Sequence, residues 1–289
     1  MKTKLNILPI PTFSHLGVNY IIRELDEPVA DSISLSSGSV DISKNTRCTI
    51  TAANSDQQNV IQYVSSDSSV LLNTSIKAEN GAQVTLFQIF NSKAEIISTL
   101  NADIAENAKL ELVQLYIGGD TVSEIKTSLS GRRAEFVSDI AYKLDNSDKL
   151  DINLIADHYG RKTMSKIAVG GVMTGNSDKV FKGTIDFKNG AVGAKGTENE
   201  DVLLIGENVH SRTVPVILCA EEDVEGSHGA TAGRIDDEKL FYMRSRGLSD
   251  ERIMQLLARA KISRVTERIE DNNIKQRIYA SLGWGDIDE

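Results

Sequence analysis

Short apolar runs separated by Asn, Asp, Ser and Gly set the texture of this chain from about residue 30 to 225. The runs Gly81-Ala-Gln-Val-Thr-Leu-Phe-Gln-Ile-Phe and Asn107-Ala-Lys-Leu-Glu-Leu-Val-Gln-Leu-Tyr each place a polar turn before alternating apolar residues. The same grammar returns near Arg132, Ser147 and Ser177. Alternation at period two is the signature of strands with one face buried. Several units recur at roughly 25–30 residues, the spacing of solenoid repeats in which each coil buries its face on its neighbours. The interval is irregular, so the pattern alone also allows a β-sandwich. Open ends of a stacked coil expose unpaired backbone groups, so one end needs a cap or a second chain.

After Arg234 the period becomes helical. Asp236 is a suitable N-cap, Asp237 and Glu238 suit the positive end of a helix dipole, and Gly247 is a natural stop. A second helix is predicted from the N-cap Ser249, with Asp250 and Glu251 in its first turn. Ile253, Leu256, Leu257 and Ala260 form its expected apolar stripe, continued by Val265 and Ile269. Asn272-Asn273 interrupts it, and Ile274, Ile278 and Leu282 suggest a third helix before Gly283-Trp284-Gly285 and the acidic end. The expected organisation is an irregular leader over 1–29, a β body over 30–234 and a helical module over 235–289. The leader contains Pro9, Pro11, Gly17 and His15, the last read as a solvated or packing residue.

Composition narrows the function classes. The 289 residues carry a formal charge of −9, which argues against a general binder of nucleic acid or of anionic membrane. No apolar run approaches a membrane span, and Met1-Lys-Thr-Lys-Leu-Asn lacks a signal-peptide core, so a cytoplasmic protein is expected. Cys48 and Cys219 stand far apart in the sequence, outside any CxxC pair. Both are expected to pack as small apolar residues. Asp157-His158 is an acid–imidazole neighbour pair that no serine or cysteine motif completes into a nucleophilic site. No GxxxxGK[ST] loop occurs, so the chain itself has no nucleotide site of that kind.

The leading candidate for chemistry is His228, set between Ser227 and Gly229 where little bulk shields the ring. A neutral imidazole ligates transition metals, and the glycine allows close approach by a second backbone. The competing reading is a histidine that hydrogen-bonds a tight turn. Ser227-His228-Gly229-Ala230-Thr231, then Gly233-Arg234-Ile235-Asp236-Asp237-Glu238, Leu240-Phe241-Tyr242 and Arg244-Ser245-Arg246-Gly247, closely resemble the SufB/SufD family, nearer to SufD. These are scaffold components of the SUF machinery for iron–sulfur cluster assembly. The resemblance is strongest from about Gly196 to Leu257 and implies a right-handed parallel β-helix core with a C-terminal α-helical module. It implies that His228 lies at a protomer interface and serves a transient iron–sulfur cluster. His210, Ser227 and Gly229 become interface candidates. Leu240, Phe241, Arg244 and Arg246 become candidates for docking a SufC-type ABC ATPase.

Departures from the family pattern matter. Where SufB-type proteins carry a functional cysteine before a Leu-Leu-Ile-Gly-like segment, this chain has Glu200 before Leu203-Leu204-Ile205-Gly206. Where SufD-type proteins often have Cys-Ser-His-Gly, it has Gly226-Ser227-His228-Gly229. Glu200 is therefore a secondary ligand candidate, with a solvated strand-edge carboxylate as the blander expectation. The helical N-terminal extension common in the family is expected to be short or absent. The implied role is a non-enzymatic scaffold that pairs with a SufB-like protomer or a second copy of itself. A purely structural SUF subunit without a cluster site and a β-helical carbohydrate-active enzyme are the alternatives.

Overall fold

A computed structural model describes residues 2–25 and 31–284. A two-stranded antiparallel ribbon comes first, β1 (Lys2–Leu5) with β2 (Ile21–Glu24). Sixteen strands then alternate between two eight-stranded sheets, parallel within each sheet. The first sheet stacks β3 (Asp31–Leu35), β5 (Thr46–Ala52), β7 (Val70–Ala78), β9 (Ile96–Ile104), β11 (Asp120–Leu129), β13 (Lys149–His158), β15 (Asp178–Phe187) and β17 (His210–Cys219). The second stacks β4 (Gly38–Ile42), β6 (Gln57–Val64), β8 (Gln83–Asn91), β10 (Lys109–Ile117), β12 (Glu135–Leu144), β14 (Met164–Thr174), β16 (Ala194–Ile205) and β18 (Val224–Arg234). Because each strand pairs with the strand two places on in sequence, the chain winds as a parallel β-solenoid, and the sandwich is set aside.

The corners keep the coils in step. Ser55, Gly81, Asn107, Arg133, Lys162 and Gly193 each take a left-handed backbone in the turn that leads into the second sheet. Their N–H groups donate to the next coil, as in Asn107 N to Arg132 O at 2.9 Å and Arg133 N to Arg161 O at 2.9 Å. The pairing therefore continues round the corner, and those backbone groups are satisfied where a loop would leave them open.

Inward-facing residues fill the bore. Val60, Leu86, Leu112 and Ile167 share it with the stacked rings of Phe90 and Tyr116, 4.8 Å apart. Gln62, Gln88 and Gln114 occupy one row of the second sheet, where the Gln88 and Gln114 amides each donate to the carbonyl of the glutamine one coil earlier at 2.8 Å. Burying amides is costly unless they pair, and stacking like with like is how a coil repeat pairs them.

The helices α1 (Asp237–Ser245), α2 (Asp250–Thr266) and α3 (Asn272–Leu282) start at the caps Asp236, Ser249 and Asp271. Ile262, Val265, Ile269, Ile274, Ile278 and Trp284 pack on Tyr63, Phe87, Val113 and Leu115, on the outer face of the second sheet. The buried stripe of α2 differs from expectation. Ile253, Val265 and Ile269 are buried as expected, but Ala258 and Ile262 are buried as well, while Leu256 and Leu257 are half-covered and Ala260 is exposed. Ile262 and Val265 set which face turns inward, because they share one apolar cluster with Phe87, Val113 and Leu115 on the sheet. Asn272-Asn273 opens α3 rather than merely interrupting α2. Gly285 and the acidic end lie outside the described residues.

The leader also differs. The ribbon straps the first sheet, with Asn6 Nδ2 donating to Asp151 Oδ1 at 2.7 Å and Arg23 ion-paired to Glu95 and Asp120. Leu8 and Val18 are buried against Val180 and Val214. Its prolines and glycine shape the bend between two short strands, which a reading of turn residues alone scores as irregular. Residues 26–29 of that leader lie outside the described residues. Among the described residues no helix is long and apolar enough to cross a membrane.

Candidate functional site

The last coil is where the candidate residues gather. β17 and β18 are the terminal members of their sheets, and their outer edges have no strand partner among the described residues. β18 is built from small residues, so its backbone stands open, and His228 is exposed. His228 is thus a strand residue on an open edge rather than a turn histidine. Parallel register pairs it with Glu198 on β16, Ala230 with Glu200, and Gly226 with Gly196. Register partners in a sheet share a face. Glu198 faces the bore, because a Cβ built on Gly183 across it would lie 2.1 Å from Glu198 Oε2. His228 therefore stands on the bore-facing row, one strand beyond Glu198.

Beneath it lies a buried polar cluster. Lys179 Nζ stands 2.5 Å from Glu200 Oε1 and donates to Thr213 Oγ1 at 3.1 Å. Thr213 donates in turn to Glu200 Oε2, and the Tyr142 hydroxyl reaches Oε1 at 3.4 Å. Gly171 makes room for that tyrosine, since a Cβ there would fall 2.1 Å from its ring. Burial pushes the Glu198 carboxyl up to about 8, helped by the charge of Glu200. Burial pulls the Lys179 ammonium down against the opposing pull of Glu200. The Tyr142 phenol is driven well up by burial and then by Glu200. The cluster thus holds one ion pair beside a carboxyl whose neutral form burial favours.

Glu200 corrects its expectation. It is 4% exposed, not a solvated edge carboxylate, because β18 pairs outside β16 and Glu200 has bore-facing parity. Lys179, Thr213 and Tyr142 occupy both of its oxygens. Cys219 is corrected in the other direction. It ends the edge strand β17, is exposed, and donates Sγ–H to Glu221 O at 3.0 Å, whereas core packing was expected. Cys48 is buried as expected, its thiol pushed up to about 11 by burial. His158 is fully buried between Thr163 Oγ1 at 2.7 Å and Ser165 Oγ at 2.8 Å, and burial lowers its imidazole to about 4. His210 is exposed at the start of β17, and His15 is exposed far from His228 in sequence. Ser227 and Gly229 flank His228 on β18. Among the described residues, no group of three or more His, Cys, Asp or Glu is close enough to hold a metal ion.

On α1, Phe241 is 73% and Tyr242 58% exposed, and Leu240 is half-covered. Arg246 Nη2 donates to the Tyr242 hydroxyl at 3.0 Å with its guanidinium 5.3 Å from the ring, so the two present one surface. Arg244 instead forks onto Asp250, Nε to Oδ1 at 2.6 Å and Nη2 to Oδ2 at 3.2 Å, and pins α1 to the start of α2. The sequence reading missed Lys179, Glu198, Thr213 and Tyr142. The available signal was parity: a lysine and two glutamates share the inward row of their strands with the core residues Phe181, Ile185, Val202 and Leu204.

A family model described as "SUF system FeS cluster assembly, SufBD core domain" matches residues 35–261. The iron-sulfur cluster assembly protein SufD of Escherichia coli is 38% identical over 110 residues, 37% of this chain and 26% of that protein. SufD of Bacillus subtilis is 24% identical over 209 residues, 70% of this chain and 47% of that protein. A SufBD family protein of Mycobacterium leprae is 25% identical over 223 residues, 73% of this chain and 56% of that protein. The chain thus matches between a quarter and a little over half of each relative's length.

Proposed function

The chain belongs to the SufB/SufD family of the SUF iron–sulfur cluster assembly system, and from that premise we propose that it is a non-enzymatic scaffold subunit of the cytoplasmic assembly complex. The open edges of β17 and β18 pair with another β-solenoid protomer, either a second copy or a SufB-like chain. The observation that carries this reading is the position of His228, exposed on the bore-facing row of the terminal strand. A nitrogen placed there is covered once a second chain pairs with the edge, and that chain supplies the further ligands for iron. The buried ion pair below keeps the end coil rigid without lending its carboxylate to the metal. The cluster is cargo, assembled at the joint and passed on. The surface of α1 receives a SufC-type ABC ATPase, which supplies the nucleotide hydrolysis for which this chain has no phosphate loop.

A second reading is a structural SUF subunit that never holds a cluster. It is favoured by the lack, among the described residues, of three neighbouring ligands, and by Glu200 in place of the family cysteine. Family membership leaves little ground for the carbohydrate-active alternative. Anaerobic co-expression with the other SUF components separates the first two. Stoichiometric iron and sulfide that fall in His228→Ala while the complex persists support the scaffold, and unchanged loading supports the structural subunit.

A further inference from the structure

The bend of the N-terminal strap, from Pro9 to Gly17, carries three large apolar side chains in solvent: Ile10 at 52% exposure, Phe13 at 52% and Leu16 at 41%. The strap is firmly seated beneath them. Leu8 and Val18 are buried on Val180 and Val214, and Leu8 N donates to Asn19 O at 3.0 Å. Phe13 holds a left-handed backbone, φ 46°, which a bulky residue adopts only when its surroundings impose it. A fixed element that presents an aromatic and two aliphatic residues to water has the marks of an interaction surface.

Its position says what covers it. The strap follows the edge formed by the strand starts of the first sheet, from Glu95 beside β9 to β17. There Arg212 donates Nη1–H to Leu16 O at 3.1 Å and Nη2–H to Asp178 Oδ1 at 2.6 Å. The bend is therefore tied to the terminal strand, whose own edge has no strand partner among the described residues. A closed pair of identical chains meeting at that edge is related by a two-fold axis, which sets the two β17 strands antiparallel. The strap bend, at the start of β17, then lies beside the end of β17 in the second copy. Leu218 there is half-covered and shares the outer face with Val214 and Val216, so apolar meets apolar.

We infer that the strap bend is the rim of a homodimer interface, with Phe13 and Leu16 docking on the outer face of the second copy's β17. This rests on the end-to-end pairing proposed above and adds a contact from the far end of the sequence. The test is sedimentation equilibrium of the full chain alone, with Phe13→Ser/Leu16→Ser and, separately, Ala230→Arg on the β18 edge. Both sites are exposed, and thermal unfolding of each variant monitors the fold. The expected result is a wild-type dimer weakened about tenfold or more by the strap pair, as for apolar anchors at an interface, and also weakened by Ala230→Arg. A strap variant that dimerises like wild type while Ala230→Arg does not overturns this inference and leaves the end-to-end pairing standing. Loss with the strap pair but not with Ala230→Arg overturns the end-to-end geometry on which it rests. A wild-type chain that stays monomeric overturns the choice of a second copy, with the pairing of unlike protomers then the surviving form of the scaffold reading.

Discussion

Lys179 and Glu200 form an ion pair closed off from water, Nζ to Oε1 at 2.5 Å with both side chains essentially unexposed. Breaking a buried pair strands the surviving charge, at a cost of about 3–5 kcal/mol, whereas replacing both charges with apolar groups is often neutral. Lys179→Met and Glu200→Leu are each expected to destabilise strongly, and the double variant to recover most of the loss. Urea unfolding of the four-member cycle measures it. Additive losses in the double variant reject the pair as a coupled unit.

Glu198 gives the end coil a pH dependence of definite sign. Its carboxyl, ordinarily near 4.5, is raised to about 8 in the folded chain, mainly by burial. Between those values the unfolded chain has released a proton that the folded chain keeps, so the contribution of Glu198 to stability is full below the lower value and is lost as pH rises through the upper one. Glu198→Gln cannot ionise. Its unfolding midpoint relative to wild type should therefore rise between about pH 5 and about pH 8.5. A constant difference across that range means that Glu198 is ionised in the folded protein.

His228→Ala removes an exposed imidazole from the terminal strand and little else. Folding and protomer pairing should survive within about 0.5 kcal/mol, the usual scale of a surface change. Iron and sulfide bound by the anaerobically purified complex should fall severalfold, as should transfer to an apo acceptor. Wild-type loading in an intact complex makes His228 a structural residue.

Phe241→Ala with Arg246→Ala strips the exposed face of α1. Binding of the ABC ATPase in a direct titration should weaken by about tenfold or more, a loss typical of aromatic and arginine anchors. Circular dichroism should remain unchanged, because neither side chain belongs to the packed face of the tail. Arg244→Ala should act differently. It releases the fork on Asp250 and loosens α1 from α2, so its effect on binding should be accompanied by faster exchange of the α1 amides. Equal affinity in the Phe241/Arg246 variant would place the docking surface elsewhere.

The solenoid was legible because strand alternation and the recurrence of polar turns are local, and the same is true of the caps Asp236 and Ser249. The helix stripe was misplaced because Leu256, Leu257 and Ala260 satisfy the period as well as Ala258 and Ile262 do, and only the sheet face decides between them. Glu200 read as a solvated strand-edge carboxylate and Lys179 and Glu198 went unnoticed, since nothing in a single strand reveals that its charged residues have a matching partner on another sheet. Cys219 failed for the opposite reason. An apolar neighbourhood predicts burial only while another coil lies above it, and β17 is the last of its sheet. His228 was a candidate from its small neighbours Ser227 and Gly229 and was strengthened by the family resemblance, but its relation to Glu198 required the register.

The two long tail helices run crosswise to the coils they cover. Arg277 reaches Asp41 at 2.7 Å and lies 3.7 Å over the Tyr63 ring near one end of the stack, Arg268 joins Asp139 and Glu111 in its middle, and Lys261 pairs with Asp201 near the other. A bare solenoid unravels coil by coil, because each coil touches only its neighbours. Here a splint spans from β4 to β16, so loss of one coil strains helix contacts made to distant ones. Amide exchange under native conditions should accordingly show the covered second sheet opening as one cooperative block, with protection falling off only at its terminal strand β18. The splint therefore fixes the pitch of the stack over most of its length and leaves β18 outside its span.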